Sequence, residues 1–318
     1  MAHVHGSTIT GLGAYRPGRL MTNEELSAAT TVGPDWILER TGIATRHHAA
    51  DGEDVVTMAA EAARKAVGSA GVGLDEIDLL IVATATKRQR MPGAAPRVAH
   101  RVGIPACGAF DVNAVCAGFT YAVSLASNAV RLGEARNVVV VGADRMTDYI
   151  YPEDPATYVI FGDGAGAVVI SRSATADIGP VVWGSDGGRA PVLETRVFDD
   201  GEQYVAMDGP LVYKWSTVTM PAVARRACEL AGVELADLDW FVPHQANRRI
   251  VDNLAGRLGI PDEKVARDVV DTGNTSAASV PLALGALRDS GRTSPGDLAL
   301  VLGFGAGLTY AGQVVRLP

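Results

Sequence analysis

The sequence has little of what marks secreted or membrane-spanning chains. Its 318 residues contain only three cysteines, Cys107, Cys116 and Cys228, an odd number without the spacing of a disulfide framework. No segment approaches the run of about eighteen apolar residues that a membrane span needs, and residues 1–11 lack the apolar region of a signal peptide. We therefore expect a cytoplasmic protein that contacts no membrane.

Basic residues are also scarce. Lysine and arginine number 28 against 36 acidic residues, and this net charge of −8 argues against a general nucleic-acid-binding protein. The six histidines include His3 and His5, which are too isolated to predict a metal site. Because 47% of the residues are hydrophobic, the chain can bury a large core in one or two domains.

Apolar runs, caps and glycines give a coarse map of helices and strands. Residues 79–84 and 137–142 are the continuous apolar runs typical of buried parallel strands, and Asn23 is placed to cap a short helix. The other predicted elements are strands at 8–12, 109–113 and 167–170 and helices at 35–42, 54–68, 92–103 and 117–133.

The pattern then repeats. Residues 70–78 match residues 231–239 at a distance of 161 positions, and residues 101–105 match 257–261 at 156. The repeat predicts two similar halves, 1–172 and 173–318, built of βα units around parallel sheets. An offset between these two values aligns Cys116 with Asn274. Two similar halves would also bring the ends of equivalent strands to one face of the molecule, which is where α/β folds place their active sites.

Three polar side chains stand at such strand ends. Cys116 lies between a predicted strand and a helix N-terminus, whose free N–H groups favour the thiolate; alternatively it is an inert core residue. His244 directly follows the apolar strand 240–243, and its alternative role is a structural hydrogen bond. Asn274 is a catalytic candidate or a helix cap. Residues 303–308 form a glycine loop able to approach a ligand, or an ordinary turn.

Together these segments resemble β-ketoacyl-acyl carrier protein synthase III of the thiolase superfamily. The resemblance spans nearly the whole chain and rests on residues 115–118, 161–166, 244–247, 273–276 and 303–308. It implies a thiolase-like, five-layered αβαβα fold of two similar halves, active as a homodimer. Elongating synthases carry histidine where this chain has Asn274, and thiolases carry a second catalytic cysteine, so the initiating branch fits best.

The resemblance also implies a mechanism without a metal or cofactor. Cys116 attacks an acyl-coenzyme A, and the N–H groups of Cys116 and Gly305 form the oxyanion hole. Malonyl-acyl carrier protein then loses carbon dioxide, His244 and Asn274 hold the enolate, and a 3-ketoacyl-carrier protein that initiates fatty-acid synthesis is released. The alternative is a starter-unit ketosynthase or acyltransferase of a polyketide or secondary-metabolite pathway.

Binding residues follow from the same resemblance. Trp36 and Arg40 would pack on the adenine of coenzyme A, and Asn247 would line the pantetheine tunnel. A basic rim for an acidic carrier protein would comprise Lys214, Arg248, Arg249 and Arg257. Alternatively, Trp36 and Arg40 form a pair on the surface that binds no ligand, and the four basic residues are ordinary solvated charges.

Three positions depart from the family pattern. Residues 86–88 read Thr-Lys-Arg where Thr-Pro-Asp is frequent, Pro155 replaces an arginine that touches coenzyme A, and Tyr310 replaces a tryptophan. Residues 88–92 resemble the loop that shapes the acyl pocket, so we expect short or branched donors there. We also expect this loop and the strand 109–113 at the dimer interface.

Two other classes fit less well. The glycines of residues 162–166 lack the spacing of a dinucleotide-binding loop and precede a strand rather than a helix. A non-catalytic partner subunit is disfavoured because the cysteine, histidine and asparagine are all present.

Overall fold

The computed structural model describes residues 5–318. The strands are β1 (Gly6–Tyr15), β2 (Arg19–Thr22), β3 (Thr45–His48), β4 (Leu79–Ala83), β5 (Gly108–Val112), β6 (Asn137–Arg145), β7 (Asp163–Ser173), β8 (Val182–Ser185), β9 (Leu193–Val197), β10 (Gln203–Met207), β11 (Trp240–Pro243), β12 (Leu298–Gly305) and β13 (Thr309–Arg316). The helices are α1 (Asn23–Ser27), α2 (Pro34–Thr41), α3 (Val55–Ala70), α4 (Ala94–Val102), α5 (Gly118–Arg131), α6 (Pro155–Tyr158), α7 (Gly209–Ala231), α8 (Arg248–Leu258), α9 (Val269–Thr272) and α10 (Ser279–Asp289).

The helix ends follow local capping. Asp54 accepts a 2.8 Å hydrogen bond from the Thr57 backbone at the start of α3, and Gly71 ends that helix at a φ of 66°. Gly42 ends α2 in the same way. One cap prediction is wrong by a residue, because the side chain of Thr22, and not that of Asn23, caps α1.

The first sheet has five strands in the order β1-β7-β6-β4-β5. Strand β4 is parallel to both neighbours, as its apolar run predicts, whereas β7 is antiparallel to β6 and to β1. The expectation of a parallel sheet is therefore wrong for β7, which runs opposite to both of its neighbours. A parallel return needs a long crossover, usually a helix, and the segment between β6 and β7 contains only a 3-10 turn at Met146–Tyr149 and the four-residue α6.

The second sheet repeats this pattern in the order β11-β12-β13-β8. Strands β11 and β12 are parallel, and β13 returns antiparallel. Helices α5 and α10 contact strands of both sheets and form a central layer, while α3 and α4 cover the first sheet and α7 and α8 the second. These five layers, α-β-α-β-α, confirm the predicted thiolase-like fold class.

The turns and helices of the central layer lie 161 residues apart in the two halves. Short 3-10 turns at Val115–Ala117 and Ser276–Ala278 precede α5 and α10, which begin at Gly118 and Ser279. Cys116 therefore corresponds to Ala277, and the register that paired it with Asn274 is wrong because loop lengths within the halves differ. Strands of the first sheet occupy residues 6–173 and those of the second 182–316; the division at 172 stays a prediction.

Glycines explain why β7 is longer than the predicted strand 167–170. Gly164 and Gly166 lie inside β7, where α10 packs against the backbone. A Cβ on Gly166 would fall 2.7 Å from Cβ of Pro281, so only glycine permits this approach. The glycine segment is thus a packing surface between the sheet and the central layer.

Residues 5–318 contain neither a candidate membrane span nor a candidate metal site. No helix there is long and apolar enough to cross a membrane. Nor does that part of the chain group three or more histidine, cysteine, aspartate or glutamate side chains in a way that could hold a metal ion.

Candidate active site

The two equivalent turns meet at the centre of the molecule. Val115 and Ser276 both have positive φ values, 45° and 51°, which are unusual for residues other than glycine. Such backbone strain concentrates at functional sites. The pair of turns places the Cys116 thiol 3.5 Å from the Ser276 hydroxyl, to which it donates.

The environment of Cys116 differs from the one expected for an activated cysteine. The residue is 6% exposed, and burial raises the pKa of its thiol to about 12. The Ser276 hydroxyl lowers this pKa, nearby Asp144 raises it, and the backbone N–H groups of Cys116 and Ala306 lower it. In the unliganded protein the predicted preference for thiolate is wrong, since desolvation outweighs the helix N-terminus.

Glycine at position 305 gives the sulfur its space. A Cβ on Gly305 would fall 2.9 Å from Cys116 Sγ. The backbone N–H groups of Cys116 and Ala306 lower the pKa of this thiol, which makes Ala306, the residue after Gly305, a further candidate for the oxyanion hole. The role predicted for the Gly305 N–H stays a prediction. The next peptide bond, Gly307–Leu308, is cis.

His244 begins the loop after β11 and is 2% exposed. Its backbone N–H donates to the Leu302 carbonyl at 2.7 Å, and its ring packs edge-on against Phe304 at 5.3 Å between centroids. The ring Nδ1 lies 2.7 Å from Ser279 Oγ. Burial lowers the pKa of His244 to about 3, so the imidazole is neutral at pH 7.

Gln245 fixes the loop that carries His244. Its side-chain amide donates to the carbonyls of Pro243 and Ala266, at 2.7 and 3.3 Å, and its side-chain oxygen accepts the Val269 N–H at 3.2 Å. The histidine loop is thereby attached to the segment that leads to Asn274.

Asn274 is held by its backbone and by its side chain. Its N–H donates to the Ile160 carbonyl, and its side-chain oxygen accepts the Ser276 N–H, both at 2.9 Å. Because the backbone N–H of Ser276 can donate only to the amide oxygen, Nδ2 is the end of the side chain that is left free. Asn274 therefore presents a hydrogen-bond donor.

One cavity of about 1460 Å³ connects these three side chains to the surface. Cys116, His244 and Asn274 all contribute to its wall, and Trp36 and Arg40 also line it. The arrangement offers a thiol and two neutral donor groups, the neutral imidazole and the amide, to one bound molecule. It suits chemistry at a thioester carbonyl.

The predicted binding residues divide into two groups. Trp36, Arg40, Asn247 and Arg249 line the cavity, and the Arg40 guanidinium lies 5.8 Å from the Trp36 ring centroid. Asn247 also caps α8, accepting the Ile250 N–H at 2.9 Å.

Three of the predicted binding residues lie outside the cavity wall. Arg248 pairs with Asp252 at 3.3 Å, Arg257 donates a 2.9 Å hydrogen bond to the Asn253 side-chain oxygen, and Lys214 is exposed on α7. Of the departures, Pro155 lines the cavity, and Tyr310 packs its hydroxyl end against Gly184 of β8.

Sequence reasoning missed Asp144, a carboxylate with no exposed surface at the end of β6. It accepts hydrogen bonds from the hydroxyls of Thr84 and Thr86 at 3.1 and 2.8 Å, and from the Ala277 N–H at 3.0 Å. Asp144 thus ties the loop after β4 to the turn beside Cys116. A charged residue near the end of an otherwise apolar, buried strand was the available signal.

Comparisons with known proteins agree with this architecture. The family models for 3-oxoacyl-[acyl-carrier-protein] synthase III and its C-terminal region match residues 110–187 and 228–317. A β-ketoacyl-[acyl-carrier-protein] synthase III from Streptomyces coelicolor is 48% identical over 98% of this chain and 99% of its own, and one from Mycobacteroides abscessus is 44% identical over 98% and 94%.

Solved structures give the same result. The priming β-ketosynthase of the R1128 polyketide pathway is 43% identical, with a TM-score of 0.97 over 100% of this chain and 98% of its own. The 3-oxoacyl-[acyl-carrier-protein] synthase III of Aquifex aeolicus is 37% identical, with a TM-score of 0.93 over 98% and 100%. Fold and relatives define a thiolase-like condensing enzyme of the acyltransferase class. The chain belongs to the β-ketoacyl-acyl carrier protein synthase III family, which confirms the resemblance seen in the sequence.

Proposed function

We propose that this enzyme condenses an acyl-coenzyme A with malonyl-acyl carrier protein, releasing carbon dioxide and a 3-ketoacyl-carrier protein, and thereby initiates fatty-acid synthesis. The single observation that carries the proposal is the shared cavity wall of Cys116, His244 and Asn274. The names of its relatives support the same reaction. The three cysteines are free, which supports a reducing cytoplasmic setting.

The first half-reaction transfers the acyl group to Cys116. The sulfur attacks the thioester carbonyl, the carbon–sulfur bond to coenzyme A breaks, and the thiol proton passes overall to the departing coenzyme A sulfur. Because the thiol has a raised pKa, it loses this proton as the new bond forms. We assign the oxyanion to the N–H groups of Cys116 and Ala306, because both lower the pKa of the Cys116 thiol and so favour negative charge there.

The second half-reaction forms the carbon–carbon bond. Loss of carbon dioxide from the malonyl thioester leaves an enolate, whose oxygen takes hydrogen bonds from His244 Nε2 and Asn274 Nδ2. The enolate carbon attacks the acyl-Cys116 carbonyl, the acyl–sulfur bond breaks, and the Cys116 sulfur leaves as a thiolate that takes up a proton from solvent. A neutral histidine suffices, since it donates a hydrogen bond and gives up no proton.

Trp36, Arg40, Asn247 and Arg249 are our candidates for the coenzyme A and pantetheine contacts, because they line the cavity. Lys214, Arg248 and Arg257 lie outside its wall, so we assign them only to the surface that meets the acidic carrier protein.

A homodimer would complete the acyl end of the cavity. Strand β5 is an edge of its sheet and leaves Phe110 43% exposed. The loop at residues 88–92 leaves Met91 83% exposed, while Arg88 is held in a two-point contact to Asp148 at 3.0 and 2.8 Å. A fixed loop carrying an exposed apolar side chain supports a contact with a second copy that limits acyl length.

A starter-unit ketosynthase of a polyketide pathway is the second candidate. The observation that favours it is the likeness to the R1128 priming β-ketosynthase, at a TM-score of 0.97. Both candidates use the same nucleophile and differ in the acyl donor and the carrier.

The test begins with mass spectrometry of Cys116 after incubation with acyl-coenzyme A donors of two to twelve carbons, branched donors included. Malonyl groups on a fatty-acid carrier protein and on a polyketide carrier protein are then offered to the acylated enzyme. We expect short or branched acyl groups on Cys116 and condensation on the fatty-acid carrier. Condensation on the polyketide carrier alone would favour the second candidate, and no acylation of Cys116 by any donor would contradict both.

A further inference from the structure

Ser279 carries a buried hydroxyl next to the proposed active site. It is the first residue of α10 and is 1% exposed. Its Oγ lies 2.7 Å from His244 Nδ1 and 3.3 Å from the Gln245 backbone nitrogen. The hydroxyl therefore touches both the histidine ring and the loop that carries it.

The available donors and acceptors determine which atoms of this contact carry a proton. The Gln245 N–H can only donate, so it donates to Ser279 Oγ. The serine still has its own proton to place, and in residues 5–318 the only other partner within hydrogen-bond distance of Oγ is His244 Nδ1. A proton on Nδ1 would leave the buried hydroxyl without an acceptor, which is unfavourable.

The hydroxyl accordingly donates to Nδ1, and the proton of the neutral imidazole resides on Nε2. Phe304 packs against the ring, and the Leu302 carbonyl accepts a hydrogen bond from the backbone N–H of His244, so the ring has a fixed orientation. In this state Nε2 is a hydrogen-bond donor on a residue of the cavity wall, and the free Nδ2 of Asn274 is a second donor on the same wall.

We infer that Ser279 is a positioning residue that holds His244 in the tautomer with a protonated Nε2 facing the cavity. The inference rests on the proposed function, because a protonated Nε2 is what an enolate oxygen requires. It also limits the role of His244, since a protonated Nε2 cannot accept the proton of Cys116.

The test compares Ser279→Ala with Ser279→Thr, which keeps the hydroxyl. Ser290→Ala is the matched control, because Ser290 follows the other end of α10 and its hydroxyl donates to the Leu287 carbonyl. Acylation of Cys116 is measured by mass spectrometry, and decarboxylation of malonyl-carrier protein by release of carbon dioxide. We expect Ser279→Ala to acylate within about twofold of the parent and to decarboxylate at least about tenfold more slowly. Ser279→Thr should recover most of that loss.

A second measurement does not depend on activity. With ¹⁵N-labelled histidine, long-range ¹H–¹⁵N correlations identify the protonated ring nitrogen, and His244→Ala assigns its signal among the six histidines. We expect protonated Nε2 and bare Nδ1 in the parent. A protonated Nδ1, or a Ser279→Ala variant that decarboxylates at the parent rate, would overturn the inference. A parent enzyme that decarboxylates no malonyl thioester while showing protonated Nε2 would refute the proposed function and leave the tautomer assignment standing.

Discussion

Gly305 and Cys116 approach so closely that a single methyl group would not fit between them. A Cβ on Gly305 would lie 2.7 Å from Cys116 Cβ and 2.9 Å from Sγ. Gly303, on the same strand, approaches Ala117 in the same way, with a Cβ 2.9 Å from its Cα. Strand β12 therefore sets the position of the cysteine turn directly, through its backbone.

Gly305→Ala should lower the rate of Cys116 acylation by about a hundredfold, because a methyl group there displaces the sulfur and such shifts of about 1 Å have effects of that size. The rate is measured by mass spectrometry of the acyl-enzyme. Gly68→Ala is the matched control, since its Cβ would meet nothing within 4 Å. Equal acylation rates for Gly305→Ala and the parent would show that the close contact between Gly305 and Cys116 does not control acylation.

Alkylation of Cys116 should depend steeply on pH. Burial raises the pKa of this thiol to about 12, and only the thiolate reacts, so the rate with iodoacetamide should rise about tenfold per pH unit between pH 7 and 10. Peptide mass spectrometry separates Cys116 from Cys107 and Cys228. A rate that levels off below pH 8 would indicate an activated thiolate in the free enzyme.

The three proposed catalytic side chains should separate by step. Cys116→Ala should form no acyl-enzyme, whereas His244→Ala and Asn274→Ala should still acylate. Each of these two variants removes one donor to the enolate oxygen, which typically costs about 10²–10³ in rate. Condensation is followed by the appearance of 3-ketoacyl-carrier protein, and parent-rate condensation by Asn274→Ala would reduce Asn274 to a structural role.

Phe110→Lys should weaken the proposed dimer, because it places a charge on the exposed edge strand β5. Sedimentation velocity at micromolar concentration should show a dimer for the parent and a shift toward monomer for the variant. Val218→Lys, at an apolar position 61% exposed on α7, is the control. A parent that sediments as a monomer would contradict the dimer itself.

Much of the fold could be predicted from local sequence. Helix α3 is bounded by an aspartate cap and a glycine in the left-handed region, and β4 is a short run of apolar residues, so each element follows from neighbours in the chain. Strand β7 could not be bounded in this way. Its glycines look like a loop, and the reason for them, the close approach of α10, lies more than a hundred residues away.

The same limit applies to the candidate site. Cys116, His244 and Asn274 stand in recognisable segments, but the groups that hold them are distant in sequence. Asp144 binds the Ala277 N–H across 133 positions, and Ser276 meets the thiol across 160. The state of the thiol depends on burial by the second half, so reasoning from the adjacent helix alone gave the wrong direction for the Cys116 pKa.

Acid should destabilise the enzyme partly through His48, which is remote from the chemistry. Its Nε2 is buried and has no hydrogen-bond partner among residues 5–318. Burial, followed by the positive charges of Arg46 and Arg19, lowers the pKa of His48 from 6.5 to about 4. Between these two values the unfolded chain binds the proton and the folded chain does not.

Stability is therefore fully present above pH 6.5 and is lost as the pH falls toward 4, by at most about 3 kcal/mol from this residue. His48→Gln cannot titrate, so its free energy of unfolding, measured with urea at pH 7.5 and 5, should fall less between the two values than that of the parent. His100→Gln, at an exposed position on α4, is the control variant. Because the substitution at position 48 can alter stability at every pH, the difference between the two pH values is the quantity that decides. Equal losses in His48→Gln and the parent would mean that His48 takes up its proton in the folded protein as readily as in the unfolded chain.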